Sequence, residues 1–218
     1  MRILAGKIGL VGFILFIGVF AVFAQTKAPV AKTLFYDSDG NLISNNEFVD
    51  IRIANSQYPD RTLMKTLDDG TVEFRLQKIP QEGAKAPEYT LRTIDGETIS
   101  STALRGKVVV LNFWFIGCAV CRALKPKLNA FKTKFDGRDD VVFIAVTGDP
   151  PSEVKRFAKD EPLNYLQTAG AADELKKFVF STYPKNVVIS KTGEIVYWRS
   201  SIYAWDKFES VVRGELAK

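Results

Sequence analysis

The feature that most constrains the fold is an apolar run followed by a helical pattern and a second apolar run. Residues 107–115 read KVVVLNFWF, a nearly uninterrupted apolar run typical of a strand that helices cover on both faces. In residues 119–135 the apolar side chains recur on one helical face, and residues 141–147, VVFIAVT, indicate a second buried strand. This order predicts two parallel strands joined by a right-handed helical crossover.

The sequence after residue 147 continues the alternation of helices and strands. Two helices and then two strands are predicted, over residues 151–159, 172–180, 186–190 and 194–199. A final helix begins near Trp205 and carries an apolar inner face. We therefore predict an α/β fold, with a mixed central sheet flanked by helices on both sides.

Residues 25–82 differ from the rest, and for them we predict a small β-rich N-terminal extension. Short strand-like runs, including EFVDIRI at residues 47–53, alternate with turn signals such as two Asp-Gly pairs. We expect four or five strands and no helix. The segment 79–87, with two prolines and a glycine, marks the boundary to a main domain at residues 83–218. No group of residues in the extension suggests chemistry, so we expect it to be dispensable for activity.

The N-terminal residues 1–24 have the pattern of a secretory signal peptide. Arg2 and Lys7 precede an uncharged apolar stretch over residues 8–24, which ends in the small residues that a signal peptidase requires. The alternative is an uncleaved membrane anchor, because about 17 apolar residues can just span a bilayer. Either alternative places the remaining chain outside the cytoplasm, in the periplasm or secreted, and only the uncleaved form would be attached to the membrane.

The chain contains no histidine, which excludes several classes of site. Ser-His-Asp and Cys-His nucleophiles, and zinc sites with imidazole ligands, all need this residue. The formal net charge of +5 is too small an excess to indicate nucleic-acid binding. The basic residues of the 119–135 helix are expected to keep their charged ends in solvent. We expect no metal and no other cofactor.

The two cysteines of the chain, Cys118 and Cys121, lie between the first buried strand and the helix. As a structural disulfide they would close a four-residue loop, which removes only about 2 kcal/mol of unfolded-state entropy. As metal ligands they would fill half of a tetrahedral site. At a helix start, Cys118 meets unpaired N–H groups and the positive end of the helix dipole, which stabilise a thiolate. We therefore predict a redox-active pair in which Cys118 attacks a disulfide and Cys121 resolves the mixed disulfide.

From residue 83 on, the sequence resembles the TlpA/ResA-like extracytoplasmic branch of the thioredoxin superfamily. The resemblance rests on AKAPEYTLRTIDGETISSTALRGKVVVLNFWF, on GCAVCRALKPKLN with its helix proline, and on Thr182-Tyr183-Pro184 before NVVISKTGEIV. It implies a thioredoxin-like fold in which Pro184 is cis and faces the cysteine pair, while the backbone of Tyr183 hydrogen-bonds the substrate. Trp114, just before the pair, is a further candidate for substrate contact.

The resemblance also implies a function, that of an exported thiol–disulfide oxidoreductase that reduces disulfides of partner proteins. A reductase outside the cytoplasm needs electrons, for which a membrane thiol donor is the expected partner. Two positions depart from the relatives. Asn112 stands where thioredoxins carry a buried aspartate, and Leu124 where the ResA-like branch often carries a glutamate.

Two other functions remain open at this point. One is a thiol peroxidase of the related peroxiredoxin type, although such enzymes carry a threonine or serine three residues before the reactive cysteine, where this chain has Phe115. The other is a non-catalytic module that binds a partner and retains a vestigial cysteine pair.

Overall fold

The computed structural model describes residues 32–56, 60, 62–200, 202 and 204–218. These residues lie within one compact unit that spans residues 31–218. The predicted signal peptide, residues 1–24, lies outside the described residues. Within the described ranges, no helix is both long enough and apolar enough to cross a bilayer.

The described residues form eleven strands and five helices. In chain order the elements are β1 (Thr33–Tyr36), β2 (Leu42–Ile43), α1 (Asn45–Ala54), β3 (Leu63–Thr66), β4 (Val72–Arg75), β5 (Thr90–Arg92), β6 (Thr98–Ser100), β7 (Val108–Phe113), α2 (Ala119–Thr133), β8 (Val141–Val146), α3 (Pro151–Asp160), β9 (Leu166–Thr168), α4 (Ala172–Lys176), β10 (Lys185–Ile189), β11 (Ile195–Arg199) and α5 (Trp205–Leu216).

The central sheet has five strands in the order β11-β10-β7-β8-β9. β7 and β8 pair in parallel, from Val108 opposite Val141 to Phe113 opposite Val146, and α2 connects them. β8 also pairs in parallel with β9, whereas β10 runs antiparallel to both β7 and β11. The mixed sheet and the parallel pair predicted from the sequence are confirmed.

Helices cover both faces of this sheet. Successive side chains of β7 point to opposite sides, and they pack against helices on each side. Val108 and Val110 belong to an apolar cluster that includes residues of α2 and α5. Val109, Leu111 and Phe113 belong to a second cluster, which includes residues of α1 and α4. Every residue of β7 is buried. The apolar run therefore marks the middle of the core, and the segment that follows it emerges at one edge of the sheet.

The N-terminal extension contains a four-stranded sheet in the order β2-β1-β4-β3. Its two hairpins turn at Asp39-Gly40 and Asp69-Gly70, where the glycines have φ of 87° and 80°. Only glycine adopts this left-handed backbone at no steric cost, which explains the turn signals. The four strands agree with the expected β-rich character.

The prediction of no helix in the extension is wrong, because residues 47–53 lie in α1 and do not form a strand. The side chain of Ser44 accepts a hydrogen bond of 3.1 Å from the backbone N–H of Glu47, which caps the helix. Ser44 and Glu47 have the spacing of a capping box. Phe48, Ile51 and Ala54 are buried at intervals of three residues, which is helical spacing and does not fit a strand.

Two smaller differences concern the later elements. The helix predicted over residues 172–180 ends at Lys176, and the β5–β6 hairpin and β9 were not predicted. Each of these three strands has only three residues, so their apolar patterns are too short to stand out in the sequence.

Candidate functional site

Cys118 and Cys121 form a disulfide at the start of α2, with an S–S distance of 2.07 Å. Cys118 is the N-cap residue, and its sulfur accepts a hydrogen bond of 3.1 Å from the backbone N–H of Cys121. The backbone N–H of Arg122 donates to the carbonyl of Cys118 at 3.1 Å. The first turn of α2 thus directs N–H groups at Cys118, as expected from its position after the buried strand.

The disulfide is largely covered, with Cys118 7% and Cys121 3% exposed. Both sulfurs belong to the apolar cluster beneath α2. Cys118 is the more exposed residue of the pair, and a partner has only a small open surface through which to reach the disulfide.

The loop before β10 lies beside the cysteine pair. β10 pairs with β7 so that Lys185 is opposite Phe113, and continuing this antiparallel register sets Pro184 and Tyr183 alongside the residues that lead to Cys118. The Tyr183–Pro184 peptide bond is cis, as the resemblance implies. Pro184 is buried, and the ring of Tyr183 meets the ring of Phe115 edge to face at 5.2 Å. The structure therefore places Tyr183 and Pro184 beside Trp114 and Phe115, in the segment that leads to Cys118.

Apolar side chains remain exposed around the disulfide. Phe115 is 39% and Tyr183 37% exposed, and Val120, between the two cysteines, is also exposed. We call Phe115, Val120 and Tyr183 the apolar rim. Exposed large apolar side chains grouped at one place are typical of a surface that binds another protein.

Trp114 does not belong to this rim. It is 2% exposed, its ring stacks on Phe157 with the centroids 5.8 Å apart, and it lies in the same cluster as the cysteines. The sequence suggested Trp114 as a candidate for substrate contact, but a tryptophan that directly follows a buried strand is more often part of the core. Its burial does not favour contact with a substrate, and Trp114 is not part of the function proposed below.

Asp149 is a residue of the site that sequence analysis missed. Its Oδ2 accepts hydrogen bonds from the backbone N–H of Ile116 at 2.7 Å and from the hydroxyl of Thr147 at 2.9 Å. Burial and, to a smaller extent, the negative charge of Asp149 raise the pKa of Tyr183. The carboxyl ends of parallel strands meet at one sheet edge. The position of Asp149 three residues after β8 could therefore have pointed to this contact.

The two positions that depart from the relatives hold no carboxylate near the cysteines. Asn112 is buried and donates a hydrogen bond of 2.9 Å to the side chain of Asn186, which donates in turn to the carbonyl of Ser200 at 2.8 Å. Leu124 is partly buried against the cluster of the cysteines. Neither side chain can accept a proton from Cys121.

Comparison with known proteins identifies the family. Residues 83–198, about half of the chain, match the AhpC/TSA family. The chain belongs to the AhpC/TSA family. Within it the chain is of the TlpA/ResA-like type, as the sequence motifs indicate.

Two relatives illustrate this assignment. Thioredoxin-like protein YneN of Bacillus subtilis is 29% identical to this AhpC/TSA-family chain over 117 residues, 53% of this chain and 69% of the relative. Thiol-disulfide oxidoreductase ResA of a Bacillus cereus strain is 31% identical over 122 residues, 53% of this chain and 68% of the relative. The chain is thus a thiol-disulfide oxidoreductase of the thioredoxin superfamily.

A solved structure shows the same fold. The thioredoxin domain of a thiol-disulfide oxidoreductase from Bacteroides vulgatus matches with a TM-score of 0.54 at 23% identity. The match covers 60% of this chain and 97% of that structure. The predicted thioredoxin-like fold is confirmed.

Proposed function

We propose that this protein reduces disulfides of partner proteins through its cysteine pair. In the reduced protein the thiolate of Cys118 attacks one sulfur of the partner disulfide and releases the other as a thiolate. The thiol of Cys121 loses its proton and attacks Cys118 in the mixed disulfide. The partner leaves as a dithiol, and Cys118 and Cys121 are oxidised to the disulfide. Two electrons pass from the protein to the partner.

The observation that carries this proposal is the disulfide at the N-terminus of α2, beside the cis Tyr183–Pro184 bond and the apolar rim. The backbone N–H of Cys121, in the first turn, stabilises negative charge on Cys118, because it points at the Cys118 sulfur. The backbone of Tyr183, next to Pro184, hydrogen-bonds an extended segment of the partner near that sulfur. The apolar rim packs against apolar side chains of the partner. A disulfide with no such surroundings would only contribute a small amount of stability to the fold.

The hydrogen bond from Ile116 to Asp149 supports this geometry. It fixes the segment between β7 and α2, and with it the direction in which Cys118 faces. Asp149 is a positioning residue in this scheme. We assign the proton of Cys121 to water or to the departing thiolate, because Asn112 and Leu124 stand where relatives carry a carboxylate and neither can accept it.

The setting of the reaction belongs to the same proposal. The signal pattern of residues 1–24 supports an exported protein, cleaved or anchored, that works outside the cytoplasm. A thiol-disulfide oxidoreductase that reduces its partners there must be reduced again after each cycle. A membrane protein with a thiol pair is the electron donor that fits.

The test combines turnover with trapping. The wild type should catalyse reduction of insulin by dithiothreitol, and Cys118→Ser should abolish the catalysis. Cys121→Ser should accumulate a mixed disulfide with a disulfide-containing peptide, visible by mass spectrometry, because nothing resolves it. Brief alkylation of the reduced wild type should label Cys118 before Cys121.

Three results would contradict the proposal. Turnover of peroxide without insulin reduction would assign a thiol peroxidase, and inertness in both assays would assign a binding module. Trapping on Cys118→Ser in place of Cys121→Ser would reverse the roles of the two cysteines.

A further inference from the structure

Lys185, the residue after the cis proline, is completely buried. It is 0% exposed, yet it carries an ammonium group with three hydrogen-bond donors. Its Nζ lies 3.0 Å from the hydroxyl of Ser200, 3.1 Å from the carbonyl of Ala54 and 3.5 Å from the hydroxyl of Thr182. Each donor therefore has an acceptor.

These three acceptors come from three different parts of the chain. Ala54 is the last residue of α1, in the N-terminal extension. Ser200 follows β11 directly, and Thr182 precedes Tyr183 in the loop beside the cysteines. One side chain thus joins the extension, the central sheet and the loop that bears the cis proline.

The charge of Lys185 suits the end of a helix. The last carbonyls of a helix have no partner within it and carry the negative end of the helix dipole. The ammonium donates to one of these carbonyls, and Asp50 of the same helix attracts it. Burial nevertheless lowers the pKa of Lys185 to about 8, so the charge is held at a cost. An apolar side chain at this position would avoid the cost and lose the link.

Two further hydrogen bonds run from the extension to the same loop. The hydroxyls of Ser56 and Ser181 lie 3.1 Å apart. The side-chain amide of Gln81 donates to the carbonyl of Val179 at 3.4 Å. Residues 179–182 are therefore contacted by Ser56, which follows α1, and by Gln81, which follows β4, so that Lys185 is the buried part of a larger interface.

We propose that Lys185 is a positioning residue that couples helix α1 of the N-terminal extension to the substrate-binding loop at Thr182–Pro184. The extension is then part of the machinery that binds a partner protein and is not a dispensable addition. The inference rests on the proposed function, in which this loop holds the partner. A small disulfide, which needs no backbone contact with the loop, should react without help from Lys185.

The experiment compares a protein disulfide with a small one in the full chain. Rates are measured for insulin and for 5,5′-dithiobis(2-nitrobenzoic acid), with wild type, Lys185→Met, Ser200→Ala and Lys191→Met. Lys191 is a matched control, since its Nζ also donates to the end of a helix, the carbonyl of Leu216 at 2.8 Å, away from the loop. Amide hydrogen exchange over residues 179–186 and over the last turn of α1 is followed in parallel.

Lys185→Met should slow the reaction with insulin about 10- to 100-fold, as expected when a positioning contact shifts by about 1 Å. Its reaction with the small disulfide should stay within about twofold of wild type, and exchange should rise in both segments. Ser200→Ala removes one acceptor and should give a smaller change in the same direction, which keeps the test valid if Lys185→Met does not fold. Lys191→Met should match wild type.

Equal slowing with both disulfides, or no change in insulin reduction and in exchange, would overturn the inference. A wild type that reacts with the small disulfide and not with insulin would instead refute the proposed function. The exchange data alone would then decide whether α1 is coupled to the loop. Higher exchange in both segments for Lys185→Met but not for Lys191→Met would uphold the coupling, and any other pattern would overturn it.

Discussion

Lys125 is a buried charge four residues after Cys121 on the inner side of α2. Its Nζ donates to the carbonyl of Glu161 at 2.9 Å and lies 4.6 Å and 4.1 Å from the ring centroids of Trp114 and Phe157. Burial lowers the pKa of Lys125 to about 8, although the carboxylate of Glu161 acts in the opposite direction. The expectation that the basic residues of this helix keep their charged ends in solvent is wrong for Lys125, because a single sequence does not show which lysine faces the aromatic rings.

A pH-dependent stability follows from this lysine. In the unfolded chain its pKa is about 10.4, so between about pH 8 and 10.4 the unfolded state binds more protons than the folded state. The cost of burying the charge is therefore fully present below about pH 8 and is removed as the pH rises. Between pH 7 and 9.5 the unfolding free energy of the wild type should therefore rise by about 1–2 kcal/mol more than that of Lys125→Met.

The measurement is urea unfolding of the oxidised proteins at both pH values. Lys127→Met, an exposed lysine on the same helix, is the control and should follow the wild type. Identical pH profiles for Lys125→Met and wild type would show that Lys125 keeps its ordinary pKa.

Among the elements, α1 carries the clearest lesson about what the sequence reveals. Its central residues are rich in β-branched and apolar side chains, which favour a strand, but the cap at Ser44 and the spacing of Phe48, Ile51 and Ala54 decide for a helix. Both signals are present in the sequence, and in this segment they outweigh the β propensity of the central residues.

The cap of α1 should contribute measurable stability. Ser44→Ala leaves the N–H of Glu47 without its acceptor and should lower the unfolding free energy by about 1 kcal/mol. Ser44→Asp restores an acceptor and should recover most of the loss. Both values come from urea unfolding at pH 7. Equal stability of Ser44→Ala and wild type would mean that the cap contributes nothing.

Long apolar elements are predictable and contacts between distant segments are not. β7, α2 and β8 could be predicted because each has a continuous apolar or helical pattern, and the pair Cys118 and Cys121 followed from its place between them. The contacts of Asp149 and Lys185 depend on residues 33 and 131 positions away in the chain. Such contacts are set by tertiary packing. Of the two, only the position of Asp149 at the sheet edge could be predicted from the sequence.

In the whole molecule, the extension and the thioredoxin-like part share one core. Phe48 and Ile51 of α1 lie in the same apolar cluster as Phe113 of β7. Ion pairs cross the predicted boundary as well, from Lys207 of α5 to Asp37 and Glu47. The extension should therefore unfold together with the site and not before it.

Phe48→Ala tests this cooperativity. Removing a buried phenylalanine should lower the unfolding free energy by about 3–5 kcal/mol. Far-ultraviolet circular dichroism and tryptophan fluorescence should still report one transition at one urea concentration. Leu42→Ala, an exposed apolar residue of the same extension, should change stability by less than about 0.5 kcal/mol. Two separate transitions, with the site unaffected by Phe48→Ala, would show that the extension folds independently.

The disulfide between Cys118 and Cys121 also determines how the chain acquires its covalent structure. Four cysteines allow three pairings and six allow fifteen, but two allow only one. Oxidation of an isolated chain can therefore give no scrambled isomer, whatever part of it has folded at that moment. The isolated chain needs no isomerase to reach the correct pairing. After denaturation in the oxidised form it refolds with the disulfide between Cys118 and Cys121 still in place.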